Sequence, residues 1–467
     1  MAIVMQWLER TSPFASVPRD HAEQVGHARA VRQNWFMYLF VLMLPLQSFE
    51  EAHLPAVPGG INFLNIGFAL SLFGAWYVGG KLTRWSGVHR WVWLYLGWCV
   101  ITLLIGLAQF PAPNDGLRFN ALKDSMIGVL LLFVVEMSVT DWSTLKRVLI
   151  ATILPLPYIL RVTHGEHVSL GARWHYTDKL RISGTFTTIG SNEFAAFCVT
   201  SALVLFALLI ATKLPRRWRA LLIVGIGCTL LSVLWTYSRT AYVTVLIGGA
   251  CMLLLWRGRK KLVLPLLLGL LIVPAFLPNA VVERFDSTHV DGPQADTSTE
   301  MRYVFWDVAW DHFKMHPLVG TGYRTFAIIN PYKMDTHNFF LRELVEKGAI
   351  GFLITAGLFL AIARACWRCF RDSPHGNLGY ALGLGMCAAW VALVIANIWG
   401  DRFTYTQMIG YFWVYLALIL KAREFAMKER AATADEGAQR PQFVRPRWTR
   451  RRDRTAPGQP VETARHG

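Results

Sequence analysis

Apolar residues along this chain come in blocks, not in alternation. Between residues 34 and 420 there are twelve such stretches: 34–49, 61–80, 91–110, 125–139, 148–163, 189–212, 220–238, 241–256, 262–280, 349–365, 378–398 and 408–420. Blocks of this kind predict helices that cross a bilayer, because a helix satisfies its own backbone N–H and C=O groups where water is absent. The period-2 pattern of an outer-membrane barrel is missing. The expected fold is all-α, a polytopic integral membrane protein of about 12 transmembrane helices. Several stretches are short for a crossing, so tilt or partial burial is expected.

Charge gives the spans an orientation. One set of connectors is basic: "KLTR" (81–84), Lys146-Arg147, "KLPRRWR" (213–219), "RGRKK" (257–261) and "RACWRCFR" (364–371). The other set begins with "QSFEEAHLP" (47–55), which has no Lys or Arg. The positive-inside rule puts the basic set and both termini in the cytoplasm. Residues 281–347 then form one large loop on the opposite, periplasmic side. The expected organisation is a cytoplasmic segment 1–33, a membrane domain 34–420 containing the 281–347 loop, and a disordered basic tail 421–467. The tail sequence "RPQFVRPRWTRRRDRTAPGQP" has the composition of a disordered segment, with the anionic lipid surface as its partner and not nucleic acid.

Composition fits. The 467 residues are 54% hydrophobic and carry a formal charge of +17, with a mean hydropathy of +0.35. In a soluble chain that charge would suggest nucleic acid; here the bases gather at the ends of apolar spans. The start "MAIVMQWLERTSPF" has too short an apolar run, and no basic start, for a cleavable signal peptide. The seven cysteines all fall in or beside spans, so no structural disulfide is expected. Cys366 and Cys369 make a CxxC with no second pair.

The 281–347 loop is too long for an idle connector. Its first helix is expected from about Ser298 to Met315, opened by the capping-box pattern "TSTE" (297–300). Tyr303, Trp306, Trp310 and Phe313 recur on it at helical spacing, as an interfacial aromatic stripe. His316-Pro317 ends it and "GTG" (320–322) turns the chain. A second helix follows, capped by Asp335 or Thr336 and stopped by Gly348. His337 and Asn338 fall at its start.

That position makes His337 a candidate base. In a first helical turn the dipole disfavours imidazolium, leaving a neutral ring able to accept a proton; a capping or packing role is the plainer alternative. Arg239 sits in the tight turn "TYSRTA" (236–241), where a charge at the membrane edge is costly unless it binds something. Arg302 begins the aromatic helix and is its natural companion, since guanidinium forks suit phosphate. Asp401 is expected to orient a base or an arginine, or to pair with its neighbour Arg402. Arg118 and Lys123 flank another outer turn and Arg161 ends a span; these are weaker candidates for donor phosphates or sugars. No DxD and no Walker loop occurs. His312 and His316 have HxxxH spacing but no HExxH. No metal and no cofactor is therefore indicated, and arginine is left to neutralise charge.

These pieces, in this order, resemble the O-antigen ligase and O-antigen polymerase superfamily. The resemblance is carried by "SGTF" (183–186) followed by Asn192, "YSRTA" around Arg239, Arg302 with Trp306, "HPLVGTG" (316–322), His337-Asn338 and "EKGAIG" (346–351). It is strongest between about Gly184 and Gly351; the N-terminal third matches in topology only. It implies an inner-membrane glycosyltransferase that takes a glycan from undecaprenyl pyrophosphate at the periplasmic face. The glycan passes to an acceptor hydroxyl with inversion and without metal. It further implies that His337 is the base, that Arg239 and Arg302 bind the pyrophosphate, and that Asp401 is a supporting acid. Thr240 departs from the family, many of whose members have glycine after the arginine, and Arg324 is a charge without an assigned place. Ligase and polymerase differ only in acceptor, lipid A-core against a lipid-linked repeat unit; a protein hydroxyl is a third acceptor. The reading from another class is a transporter of small anions or glycans, which would need ionisable groups near the midplane. Glu136 and Glu193 lie at or near spans, yet no inverted repeat is visible.

Overall fold

The computed structural model describes residues 32–53, 62–83, 86–113, 115–171, 180–187, 189–258, 279–286 and 297–439. Among them there is no strand. The helices in order are α1 (Trp35–Met43), α2 (Gln47–His53), α3 (Phe63–Val78), α4 (Gly87–Gln109), α5 (Asp115–Ser138) and α6 (Trp142–Ile153). They continue with α7 (Leu156–Ser169), α8 (Ser191–Ala211), α9 (Arg216–Trp235), α10 (Arg239–Leu255) and α11 (Asn279–Asp286). The last are α12 (Thr297–Met315), α13 (Phe326–Ile329), α14 (Phe339–Asp372), α15 (Leu378–Ala396) and α16 (Thr406–Gln439). The chain divides into two compact units, 1–427 and 428–467. The packing and the site described below belong to the first.

Six segments among the described residues are long and apolar enough to cross a membrane: Gly87–Gln109, Trp142–Ser169, Ser191–Ala211, Arg216–Trp235, Phe339–Asp372 and Leu378–Trp399. Phe63–Val78 and Arg239–Leu255 are shorter apolar helices. The expected twelve crossings exceed this set. Residues 262–278 of the ninth expected span lie outside the described residues. The first expected span is interrupted: α1 ends at Met43 and α2 starts at Gln47, with Pro45 between. Pro155 separates α6 from α7 in the same way, since proline offers no N–H to the preceding turn. α16 runs to Gln439, past residue 421 where the sequence suggests a disordered tail. Residues 1–31 and 440–467 lie outside the described set.

α15 forms the centre, packed by α8, α10 and α14. Its sequence "LGYALGLGMCAAWVALVIA" supplies small residues that let helix backbones approach. A β-carbon on Gly385 would lie 2.9 Å from Val204 Cα on α8. Away from this centre, Trp76, Leu104 and Leu254 stand exposed on α3, α4 and α10, as lipid-facing side chains do.

The feature that sets up the site is a break in α14. Gly348 has φ 66° and ψ −175°, conformations that interrupt the helix without ending it. The loop "HPLVGTG" threads the gap. Thr321 and Gly322 amides donate to the Val345 and Glu346 carbonyls at 2.9 and 2.8 Å. On the other side, the Ala349 and Ile350 amides donate to Pro317 and Leu318 carbonyls at 2.8 and 3.2 Å. The backbone groups that the break frees thus find partners within the protein, which is what non-helical backbone beside a membrane requires. The two sequence motifs at 316–322 and 346–351 are two halves of one joint.

Candidate functional site

His337 stands directly before that helix, not within it. Asn338 is the N-cap of α14, its Oδ1 accepting from the Leu341 amide at 3.1 Å. Asp335 and Thr336, the expected caps, shape the approach instead. The Thr336 amide donates to Asp335 Oδ1 at 2.7 Å, and the Thr336 hydroxyl donates to the Asn338 carbonyl at 2.9 Å. His337 takes φ 50°, a left-handed backbone uncommon for a residue with a β-carbon. Such outliers persist where the surroundings impose them, commonly at functional sites.

The placement corrects the dipole argument. A residue ahead of the cap lies outside the first turn, and burial is what chiefly acts on the ring. Burial pushes the His337 imidazole below its ordinary 6.5; Asp335 opposes this, Arg302 adds to it, and Glu193 and Arg402 act in opposite senses. The net direction is down, so the ring is neutral at pH 7 and can accept a proton.

Arg239 and Arg302, 63 positions apart in sequence, line one cavity of about 220 Å³ together with Thr240, Tyr303, Trp306 and Trp399. Arg239 is the first residue of α10. The preceding Ser238 hydroxyl donates to Asn192 Oδ1 at 2.9 Å, and Arg181 donates to the same oxygen at 2.6 Å. These bonds tie the "YSRTA" turn to the start of α8. Arg302 and Trp306 share one face of α12, and the Trp306 indole donates to the Thr336 carbonyl at 2.9 Å. The cavity wall is thereby bonded to the turn that carries His337.

Asp401 and Arg402 do not pair side chain to side chain. Asp401 is bound by Arg342 of α14 and accepts from the Phe403 amide at 3.1 Å. Burial raises the Asp401 carboxyl, but Arg342 and Arg324 outweigh it and hold the group below the usual carboxylate range. Arg402 instead reaches Glu193 at the start of α8. Arg342 is the hub that reading the sequence misses. It is buried, and also lies 3.6 Å from Asp335, 3.8 Å from Glu343 and 3.9 Å from Glu346. A signal was present: Arg342, Glu343, Glu346 and Lys347 crowd the entrance of an apolar span, where unpaired charge is costly. Arg324 also finds its place here, its amide donating to Glu346 Oε2 at 2.9 Å and its guanidinium 3.4 Å from Asp335.

The other sequence candidates sit elsewhere. Arg118 is buried and engaged with Asp115, the Phe110 carbonyl at 2.9 Å and the Thr325 hydroxyl at 3.0 Å. It does not line the Arg239–Arg302 cavity. Lys123 lies 3.4 Å from Asp124, both partly exposed. Arg161 is exposed on α7. Glu136 is buried against His89 at 3.0 Å and accepts twice from Thr83. His312 and His316 stack edge-on against Phe326 and Phe110. Cys366 and Cys369 are buried. Among the described residues no three His, Cys, Asp or Glu side chains converge to hold a metal ion.

Comparison with known proteins bears on this constellation. Residues 224–356 match the family model described as O-antigen ligase. The match runs from α9 into α14 and contains Arg239, Arg302 and His337. No curated protein matches the chain. The apolar helices agree with a multi-pass membrane protein.

Proposed function

We propose that this chain is a member of the O-antigen ligase/polymerase superfamily, a reading supported by the match over residues 224–356, and that it is a glycosyltransferase of surface-polysaccharide synthesis in the bacterial inner membrane. Its donor is a glycan on undecaprenyl pyrophosphate, and the reaction takes place at the periplasmic face. The acceptor is a hydroxyl on another glycan, on lipid A-core or on protein. The observation that carries the reading is one cavity holding two arginines, Arg239 and Arg302, whose wall is hydrogen-bonded through Trp306 to the His337 turn.

The chemistry follows from those parts. The acceptor oxygen attacks the anomeric carbon as the bond to the pyrophosphate oxygen breaks, on the opposite face, so the configuration inverts. The acceptor proton passes to the neutral His337 imidazole, a contribution of about 10²–10⁴-fold for a positioned base. The leaving pyrophosphate is a stable anion that needs charge neutralisation more than a proton. Arg239 and Arg302 provide it through charge-assisted hydrogen bonds of about 1.5–3 kcal/mol each, without a metal. Asp401 holds Arg342, and Asn338 caps the helix that begins beside the base, so both act on position.

The test is deletion of the gene in a strain that makes surface glycans, with complementation by wild type or His337→Ala and a blot for membrane level. Loss of long lipid A-core bands with polymer retained on the lipid carrier means a ligase. Accumulation of single-repeat material means a polymerase. Unchanged glycans in the deletion overturn the reading, and full complementation by His337→Ala overturns the role of the base.

A further inference from the structure

A second cavity, of about 460 Å³, opens between α5 and the loop that follows "GTG". Its lining combines apolar residues, among them Leu117, Ala121 and Ile328, with three cations: Arg118, Arg324 and Lys333. Arg118 is buried and fully engaged as a wall. The other two stand out by their backbone: both are left-handed, φ 55° at Arg324 and 54° at Lys333, a conformation uncommon for residues with a β-carbon. Lys333 is exposed, and its Nζ donates to the Ile328 carbonyl on the cavity lining, leaving its other protons for an anion. Arg324 is partly exposed, and its Nε has no hydrogen-bond partner although it is out of reach of water. Leu117, in the lining, is itself largely exposed and gives the opening an apolar edge.

The cavity reaches the same turn as the first one, by another route. Arg324 lies 3.4 Å from Asp335, two residues before His337, while the first cavity reaches Thr336 through Trp306. His337 therefore stands in a turn that is bonded to a cationic cavity through each of its two preceding residues. We propose that the second cavity binds the acceptor, and that it does so through a phosphate on a lipid-borne acceptor whose hydroxyl His337 deprotonates. This rests on the glycosyl-transfer reading and narrows it: a cationic pocket with an apolar flank suits a phosphorylated glycolipid or a lipid-pyrophosphate glycan, not an uncharged protein hydroxyl. Arg324 and Lys333 make the anion contacts, and Arg118 keeps the cavity wall in place.

The experiment uses the purified full chain in nanodiscs with a lipid-pyrophosphate oligosaccharide donor. Three acceptors are compared: a phosphorylated lipid A-core glycolipid beside its dephosphorylated form, a second lipid-pyrophosphate glycan beside one whose glycan is joined to the lipid by an uncharged linker, and a hydroxyl-bearing peptide. For the acceptor that is used, removing phosphate should raise KM about tenfold or more. Lys333→Gln, and separately Arg324→Gln, should raise the acceptor KM while leaving the donor KM within about twofold, and the double variant should no longer distinguish the stripped acceptor. Arg324→Lys should recover part of the loss, which separates charge from fold. Which acceptor responds identifies the source of the phosphate. The proposal is overturned if wild type is indifferent to acceptor phosphate, if the double variant still discriminates, or if only peptide hydroxyls are glycosylated. Wild-type transfer to no acceptor at all would instead overturn the glycosyltransferase reading, before any variant is compared.

Discussion

The Trp306 indole N–H donates to the Thr336 carbonyl at 2.9 Å. Through this bond the helix that carries Arg302 holds the residue next to His337. The bond joins a cavity wall to a strained turn, so it couples the position of the proposed anion site to that of the proposed base. Trp306→Phe keeps an aromatic ring at this position and removes the donor together with the indole's second ring. Loss of one such bond to a buried carbonyl costs about 1–3 kcal/mol. The expected result is a kcat about tenfold lower, with donor KM nearly unchanged. An unchanged kcat would show that the turn holds its geometry without the indole.

His337 offers a sharper separation of backbone from chemistry. Asparagine tolerates left-handed backbone better than most residues, so His337→Asn keeps the turn and deletes the proposed base. Transfer should fall by about 10²-fold or more while membrane level and melting temperature stay near wild type. Added imidazole should restore part of the rate.

The pH profile tests the environment of the ring. Burial and Arg302 hold the His337 pKa below 6.5, and Asp335 works against them. A base is active when neutral, so the acid limb of kcat/KM should lie below pH 6.5. Removing a cation that disfavours imidazolium raises the pKa, so Arg302→Gln should move that limb to higher pH. Asp335→Asn removes a charge that favours imidazolium, so the limb should move lower. Opposite shifts in the two variants are the result to look for; the same shift in both would remove His337 as the titrating group.

The joint in α14 is a stability prediction. A β-carbon on Gly348 would lie 2.2 Å from the Leu318 carbonyl oxygen, at φ 66°. Strain and clash together should make Gly348→Ala lose about 2 kcal/mol or more, read as a lower melting temperature in detergent. Gly227 on α9 is the control, with nothing within 4 Å of its β-carbon position. Gly227→Ala should be neutral, or stabilising by up to about 1 kcal/mol.

The buried charges predict a pattern of coupling. Double-mutant cycles between Arg342 and Asp401, and between Glu193 and Arg402, should show interaction energies of about 1–3 kcal/mol. The cycle between Asp401 and Arg402 side chains should come out smaller than either. Replacing Arg342 alone by Leu leaves Asp401 buried without its bonded cation and with only the more distant Arg324, a change worth up to about 3–5 kcal/mol in comparable sites.

Some of these relationships are legible in the sequence, and the distinction follows range. The α12 boundaries, the proline-marked ends and the break at Gly348 rest on residues within a turn or two of one another, where backbone sterics and capping decide. The candidate trio His337, Arg239 and Arg302 came from charge at membrane edges and from a family resemblance, both of which a linear pattern carries. What it does not carry is pairing. Asp401 and Arg402 are neighbours in sequence, and the nearest opposite charge is the natural guess; the fold gives each a different partner, 59 and 209 residues away. Arg342 became the hub because the helix around it is buried against other elements, and burial forces every charge to find a counter-charge. His337 looked like a first-turn residue because a cap is decided by which side chain reaches the Leu341 amide, and Asn338 does.

The sequence by itself determined the helical, apolar character seen in the described residues, the helix stops and the candidate residue types for the proposed chemistry, because those follow from hydrophobic run length and local backbone preference. Only the tertiary structure decided that α10 and α12 bring Arg239 and Arg302 to one cavity, that "HPLVGTG" fills the gap at Gly348, and that a second cationic cavity meets the same turn. Those depend on which buried groups could satisfy one another once the helices packed, and that is a property of the whole packed chain.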